Sequence, residues 1–153
     1  MCKMVYIGSD NELPLIGRDA GGIAILVEDL DLRNRDDKFA CDNLTKQYKY
    51  FIGSYQGCGC GFMYDFARAE PSNIKDEYKG FLEEIIEKQQ KGKQSFETLF
   101  EYIRTNVKGD NCELLSFWTG EGIEHDNSVI DLKTFSLGHE FKFLNGQYLT
   151  VYK

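Results

Sequence analysis

Two thiols separated by a single residue, Cys58 and Cys60, stand in Gly57-Cys58-Gly59-Cys60-Gly61-Phe62, a segment with three glycines in five residues. Side chains two apart in extended backbone point to the same side, so this pair could chelate one soft metal ion or exchange electrons. A closed zinc site takes four ligands. The remaining thiols and imidazoles, Cys2, Cys41, Cys112, His125 and His139, are scattered singly rather than as a second pair. A redox pair ordinarily has two residues between its cysteines and opens a helix whose dipole lowers a thiol pKa; here one residue intervenes and Pro71 follows soon after. The residues therefore favour a glycine-rich turn whose cysteines pack as small apolar groups, without a cofactor. Zinc or another soft metal on Cys58 and Cys60 is the alternative.

Other constellations are weaker. The glycine turn reads G-x-G-x-G, not G-x-G-x-x-G, and no βαβ pattern surrounds it; Gly17 to Gly22 lacks the Gly-Lys-Ser/Thr of a phosphate loop. A cysteine nucleophile needs an imidazole, and only His125, in Glu124-His125-Asp126-Asn127, and His139, beside Gly138 and Glu140, can supply one. Both read as surface residues, which leaves a Cys–His or carboxylate-dependent hydrolase or transferase as a third class. Two polar clusters follow strands: Asp10, Asn11 and Glu12, and Trp118, Glu121 and Glu124. Their carboxylates suit a hard cation or acid–base work, yet Asp10-Asn11-Glu12 does not match a calcium loop and such residues mostly serve turn geometry. Trp118 is either a core anchor or a binding anchor, with the core preferred.

The elements that must position these residues follow from periodicity. Lys3 to Gly8 and Gly22 to Val27 read as strands, the second continuously apolar from Ile23 and so covered on both faces. Ser9 to Pro14 and Asp31 to Asp42 read as polar loops. Tyr48 to Tyr55 is a third strand, running into the glycine turn. After Pro71 an amphipathic helix is predicted, with Ser72 as N-cap, Ile74, Tyr78, Phe81, Leu82, Ile85 and Ile86 on one face, and Gly92 just past its end. Gly80 within it marks a site for close helix approach. Ser95 would cap a second helix bearing Phe96, Leu99, Phe100, Ile103 and Val107, stopped at Lys108-Gly109. Cys112 to Trp118 and Ser128 to Leu132 are strands, and Phe141 to Leu144 and Gln147 to Tyr152 flank Asn145-Gly146, the strongest short hairpin signal. The expected fold is α+β: a mostly antiparallel sheet with two adjacent helices packed on one face, ending in a β-hairpin, residues 1–153 forming one domain.

Composition narrows the function. Eleven Phe, nine Tyr and one Trp argue for an ordinary packed core despite 28% charged residues. A net charge of −7 without a long Lys/Arg run disfavours nucleic acid. No apolar run is long enough to span a bilayer, the first residues lack a secretory pattern, and five cysteines without a paired framework fit reduced thiols, so a cytoplasmic protein is expected. Through Ser9-Asp10-Asn11-Glu12-Leu13-Pro14-Leu15, Cys58-Gly59-Cys60-Gly61-Phe62, Glu113 to Glu121 and the closing Phe141 to Tyr152 segment, the chain resembles a small family of bacterial hypothetical proteins with a CxCGF-like turn. That resemblance implies a compact bacterial cytoplasmic domain and draws attention to Cys58, Cys60 and Trp118; it carries over no catalytic residue. The leading expectation is a non-catalytic interaction domain whose acidic surface suits a basic protein partner, with Cys58, Cys60, Trp118, Glu121, Asp10 and Glu12 as binding candidates. The rival is a thiol-based metal or redox site centred on Cys58 and Cys60, with Cys2, Cys41, Cys112 or a histidine completing it.

Overall fold

The computed structural model describes residues 1–18, 22–121 and 126–153. β1 (Lys3–Ser9), β2 (Ile25–Asp29), β3 (Tyr48–Ser54), β5 (Asn111–Trp118), β6 (Asp126–Asp131) and β8 (Gln147–Tyr152) form one six-stranded sheet in the order β2-β3-β1-β5-β8-β6. Its ladders are antiparallel except the one joining β6 to β8. β4 (Met63–Asp65) and β7 (Glu140–Lys142) pair with each other in a small second sheet. Asn145-Gly146 turns the chain into β8, with Gly146 but not Asn145 at positive φ, +64. The strands on either side of that turn take different partners, β7 lying on β4 and β8 between β5 and β6. No helix of the described residues is long and apolar enough to cross a membrane.

The strand alternation sorts side chains onto two cores. Val5, Ile7, Ile25, Val27, Ile52, Leu114, Leu149 and Val151 face the larger one, with Phe96, Leu99, Phe100 and Ile103 from a helix packed over them. Tyr6, Phe51, Leu115 and Phe117 face the other way, beneath Ala40 and Leu44. The sheet is thus covered on both faces, which explains why Ile25, Leu26 and Val27 are all buried.

Two helical expectations are corrected. The pair of adjacent helices on one face is a single helix, α2 (Leu82–Asn106), preceded by 3₁₀ turns at Pro71–Asn73 and Asp76–Phe81. Tyr78 and Phe81, assigned to an apolar face, are more than half exposed. The polar stretch Asp31 to Asp42, read as a loop, contains α1 (Arg35–Asn43), on the opposite face of the sheet from α2. Asn34 caps α1 by accepting from the Asp36 and Asp37 amides, and Phe39 packs edge-on to Phe117 at 5.1 Å. Buried Asp37 accepts from the Tyr6 hydroxyl at 2.8 Å and from the Asp31 amide at 2.8 Å.

Gly92 and Ser95, taken as helix punctuation, sit inside α2 because each is used in tertiary packing. A Cβ at Gly92 would collide with the Met63 carbonyl, so α2 presses directly against the backbone of β4. The Ser95 hydroxyl donates to the Ala24 carbonyl at 2.7 Å and accepts from the Tyr55 amide at 3.2 Å. Gly80, by contrast, has open space where a Cβ would stand, with no neighbouring atom within 4 Å. Gly92→Ala is therefore expected to cost about 1–3 kcal/mol by overpacking, whereas Gly80→Ala should be neutral or gain up to about 1 kcal/mol. Urea unfolding of both variants checks this; equal effects would place the close approach elsewhere.

Candidate metal centre

β3 ends at Ser54 and the chain turns back sharply toward β1. The Ser54 amide donates to the Cys58 carbonyl at 2.8 Å, and the Ser54 hydroxyl donates to the same oxygen at 2.6 Å while accepting from the Gly61 amide at 3.0 Å. Within this knot Gly59–Gly61 makes one turn of 3₁₀ helix, with Cys58 extended before it. Gly59 lies so close to β1 that a Cβ there would stand 2.7 Å from the Lys3 carbonyl oxygen and 2.8 Å from Val5 Cγ2. Phe62 anchors the far side, its ring 5.3 Å from Phe96 and 5.7 Å from Phe143.

The close approach brings a third thiol to the pair. Cys2, Cys58 and Cys60 hold their Sγ atoms within 4.8 Å of one another, the one group of three or more metal-ligating side chains among the described residues. Cys2 is exposed, Cys58 and Cys60 half-buried. Backbone amides point at two of the sulfurs: Lys3 N–H donates to Cys60 Sγ at 3.2 Å and Cys60 N–H to Cys58 Sγ at 3.4 Å. Cys2 itself is pinned through its carbonyl, which accepts from the Thr119 amide at 3.0 Å and the Thr119 hydroxyl at 2.9 Å.

A cation stands beside the cluster. The buried Lys3 ammonium donates to the Phe143 carbonyl and lies 5.6 Å from the centre of the Trp118 ring. Burial holds Lys3 below the ordinary lysine pKa; Lys142 adds to the lowering by repulsion, and Cys60 opposes it by attraction. Trp118 is half-buried at the end of β5, and its amide donates to Asn145 Oδ1 at 3.1 Å. Asn145 in turn donates to Glu121 at 2.7 Å, so Trp118 and Glu121 are joined through the turn before β8.

The other expected residues lie apart from this cluster. Asp10 pairs with Lys46 at 2.5 Å, and Glu12 is exposed. Asn11 between them caps the end of α2, donating to the Asn106 carbonyl at 3.0 Å and accepting from the Lys108 amide at 2.8 Å. Cys112 is buried in the larger core, its thiol pushed up to about 12 by burial. Cys41 sits on α1, where its carbonyl accepts from Lys49 at 2.6 Å. Exposed His139 rests on the Phe66 ring at 5.6 Å. Glu124 and His125 fall outside the described residues. Sequence left Cys2 as one of several candidates to complete the pair and gave Lys3 and Thr119 no role there: the register pairing Lys3 with Trp118 places them at the site, and no local pattern encodes it.

Burial first, and then its neighbours Cys60 and Cys2, push the Cys58 thiol up to about 11, against the opposing pull of the Cys60 amide. Cys58 is consequently a thiol at neutral pH, ill matched to attack disulfides, for which the best nucleophile has a pKa near ambient pH. Metal coordination removes that obstacle, because the ion displaces the proton. Iodoacetamide should alkylate Cys58 roughly 10- to 100-fold more slowly at pH 7 than an ordinary exposed thiol, the lower thiolate fraction being partly offset by higher intrinsic nucleophilicity. The rate should then climb with pH up to about 11. Peptide mass mapping across pH 7–11 reads it directly, and a fast, pH-independent reaction would mean that Cys58 is held as thiolate. No family model, curated protein or solved structure matches this chain, so its chemistry is read from its own side chains.

Proposed function

We propose that this chain binds one thiophilic metal ion through the thiolates of Cys2, Cys58 and Cys60. The observation that carries the reading is the convergence of three sulfurs within 4.8 Å from two segments far apart in sequence. Sulfurs bound at about 2.3 Å to a tetrahedral ion stand roughly 3.8 Å apart, so the cluster needs to contract by only about 1 Å. The amide bonds to Cys60 and Cys58 favour charged sulfur over neutral thiol. The Lys3 ammonium offsets the negative charge that three thiolates bring to one ion. The expectation of a basic protein partner, by comparison, rests on net charge and on the polar segments Asp31 to Asp42 and Glu121 to Asp131, the first of which contains α1.

Anaerobic titration of the reduced protein with Co²⁺ as a spectroscopic stand-in for zinc tests the reading. One equivalent should bind with sulfur-to-cobalt charge-transfer absorption, more tightly as pH rises because the thiols must lose protons. The band should vanish in the Cys58→Ser/Cys60→Ser double variant, weaken at least about tenfold in affinity in Cys2→Ser, and survive in Cys41→Ser. Absence of saturable binding in the wild-type protein, or equal binding by the double variant, would sink the proposal.

A further inference from the structure

Resting on the thiolate reading above, we infer that the centre is built for monovalent copper, held in three-coordinate all-sulfur geometry, rather than for a four-coordinate divalent ion. Among the described residues the cluster offers three sulfurs and no imidazole or carboxylate. That donor set is uniformly soft, which suits Cu(I), zinc and iron–sulfur chemistry, and its three-fold ligand count favours the first. Zinc can also take thiolates, but its structural sites close with four protein ligands, and among the described residues no fourth ligand joins the three thiols. Cu(I), a d¹⁰ monovalent ion, is content with three sulfurs in a plane.

Charge points the same way. Cu(I) with three thiolates carries −2, whereas a divalent ion with the same ligands carries −1. Lys3, whose amide donates to Cys60 Sγ at 3.2 Å, holds its ammonium on the Phe143 carbonyl and over the Trp118 ring, where it attracts Cys60. The more anionic centre gains more from that cation. Access is compatible with metal exchange between ligands, since Cys2 is exposed while its carbonyl stays anchored to Thr119. An incoming Cu(I) could therefore meet Cys2 first and pass inward to Cys58 and Cys60, each thiol giving up its proton to solvent as its Cu–S bond forms.

The test is anaerobic competition for Cu(I) against the chromogenic chelator bicinchoninate, run beside Zn²⁺ and Co²⁺ titrations of the same protein. The inference expects one Cu(I) per chain withheld from the chelator, displacement of bound Zn²⁺ or Co²⁺ by one equivalent of Cu(I), and an X-ray absorption spectrum with three sulfur neighbours. Cys2→Ser removes an exposed side chain, so this variant should fold as the wild type does; it is expected to lose Cu(I) affinity by about 100-fold or more. Circular dichroism verifies its fold, and quenching of Trp118, the single tryptophan, gives an independent readout next to Lys3. If cysteine-dependent Zn²⁺ or Co²⁺ binding persists in the presence of one equivalent of Cu(I), or if the absorption spectrum shows a fourth oxygen or nitrogen neighbour, the copper inference is overturned while the thiolate centre stands. If no metal binds, both fall.

Discussion

Gly59 rests against the Lys3 carbonyl and the Val5 side chain with no room for a Cβ, and from that contact the geometry of the centre follows. A side chain at position 59 would lift the turn away from β1, taking Cys60 Sγ from the Lys3 amide and both turn thiols from Cys2. The contact is between backbone and strand, so it is stiffer than an arrangement of flexible side chains. Interiors pack at near-crystalline density, and a displaced turn has no alternative bed to settle into. The three thiols are thus brought together by the fold itself.

Polar pins hold the same turn from the other side. The Ser54 hydroxyl satisfies groups at both ends of the turn, at Cys58 and Gly61, and the Ser95 hydroxyl ties α2 to Tyr55 and Ala24. Both serines are buried, where an unmade hydrogen bond costs more than a made one contributes. The Phe62, Phe96, Phe141 and Phe143 rings then fix the segment that carries the Phe143 carbonyl, the acceptor of the Lys3 ammonium. One aromatic cluster therefore positions both the end of the cysteine turn, through Phe62, and the acceptor of the Lys3 ammonium.

Local pattern revealed most of the strands and the oddity of the Cys58–Cys60 turn, because alternation and glycine content are properties of neighbouring residues. It misplaced the helices for an equally physical reason. Gly92 and Ser95 look like a stop and a cap, yet each gains more from a tertiary contact than it costs inside α2: a close approach to Met63 in one case, a two-way hydroxyl bridge in the other. α1 went unseen because few of its residues are buried, although Asn34 followed by Asp36 and Asp37 is an N-terminal signature. Cys2 could not be assigned to the pair at 58 and 60 without knowing that β1 lies between β3 and β5 and that Thr119 reaches back to it. Chain topology, not spacing, brings the third thiol to the pair.

The position of Lys3 connects stability with chemistry. Burying an ammonium costs several kcal/mol unless it is paired, and here it receives a carbonyl and an aromatic face. Among the described residues no carboxylate lies within ion-pair distance of it. While the neighbouring thiols keep their protons, the cation is only partly compensated. Ionisation of those thiols around the proposed metal would supply negative charge beside it, so the Lys3 cation and a metal-thiolate centre would stabilise one another. An alanine or methionine at position 3 would relieve the cost in the metal-free protein and remove the compensation from the loaded one. Lysine is thus the worse choice for the sheet alone and the better choice for a sheet that carries an anionic centre at its end.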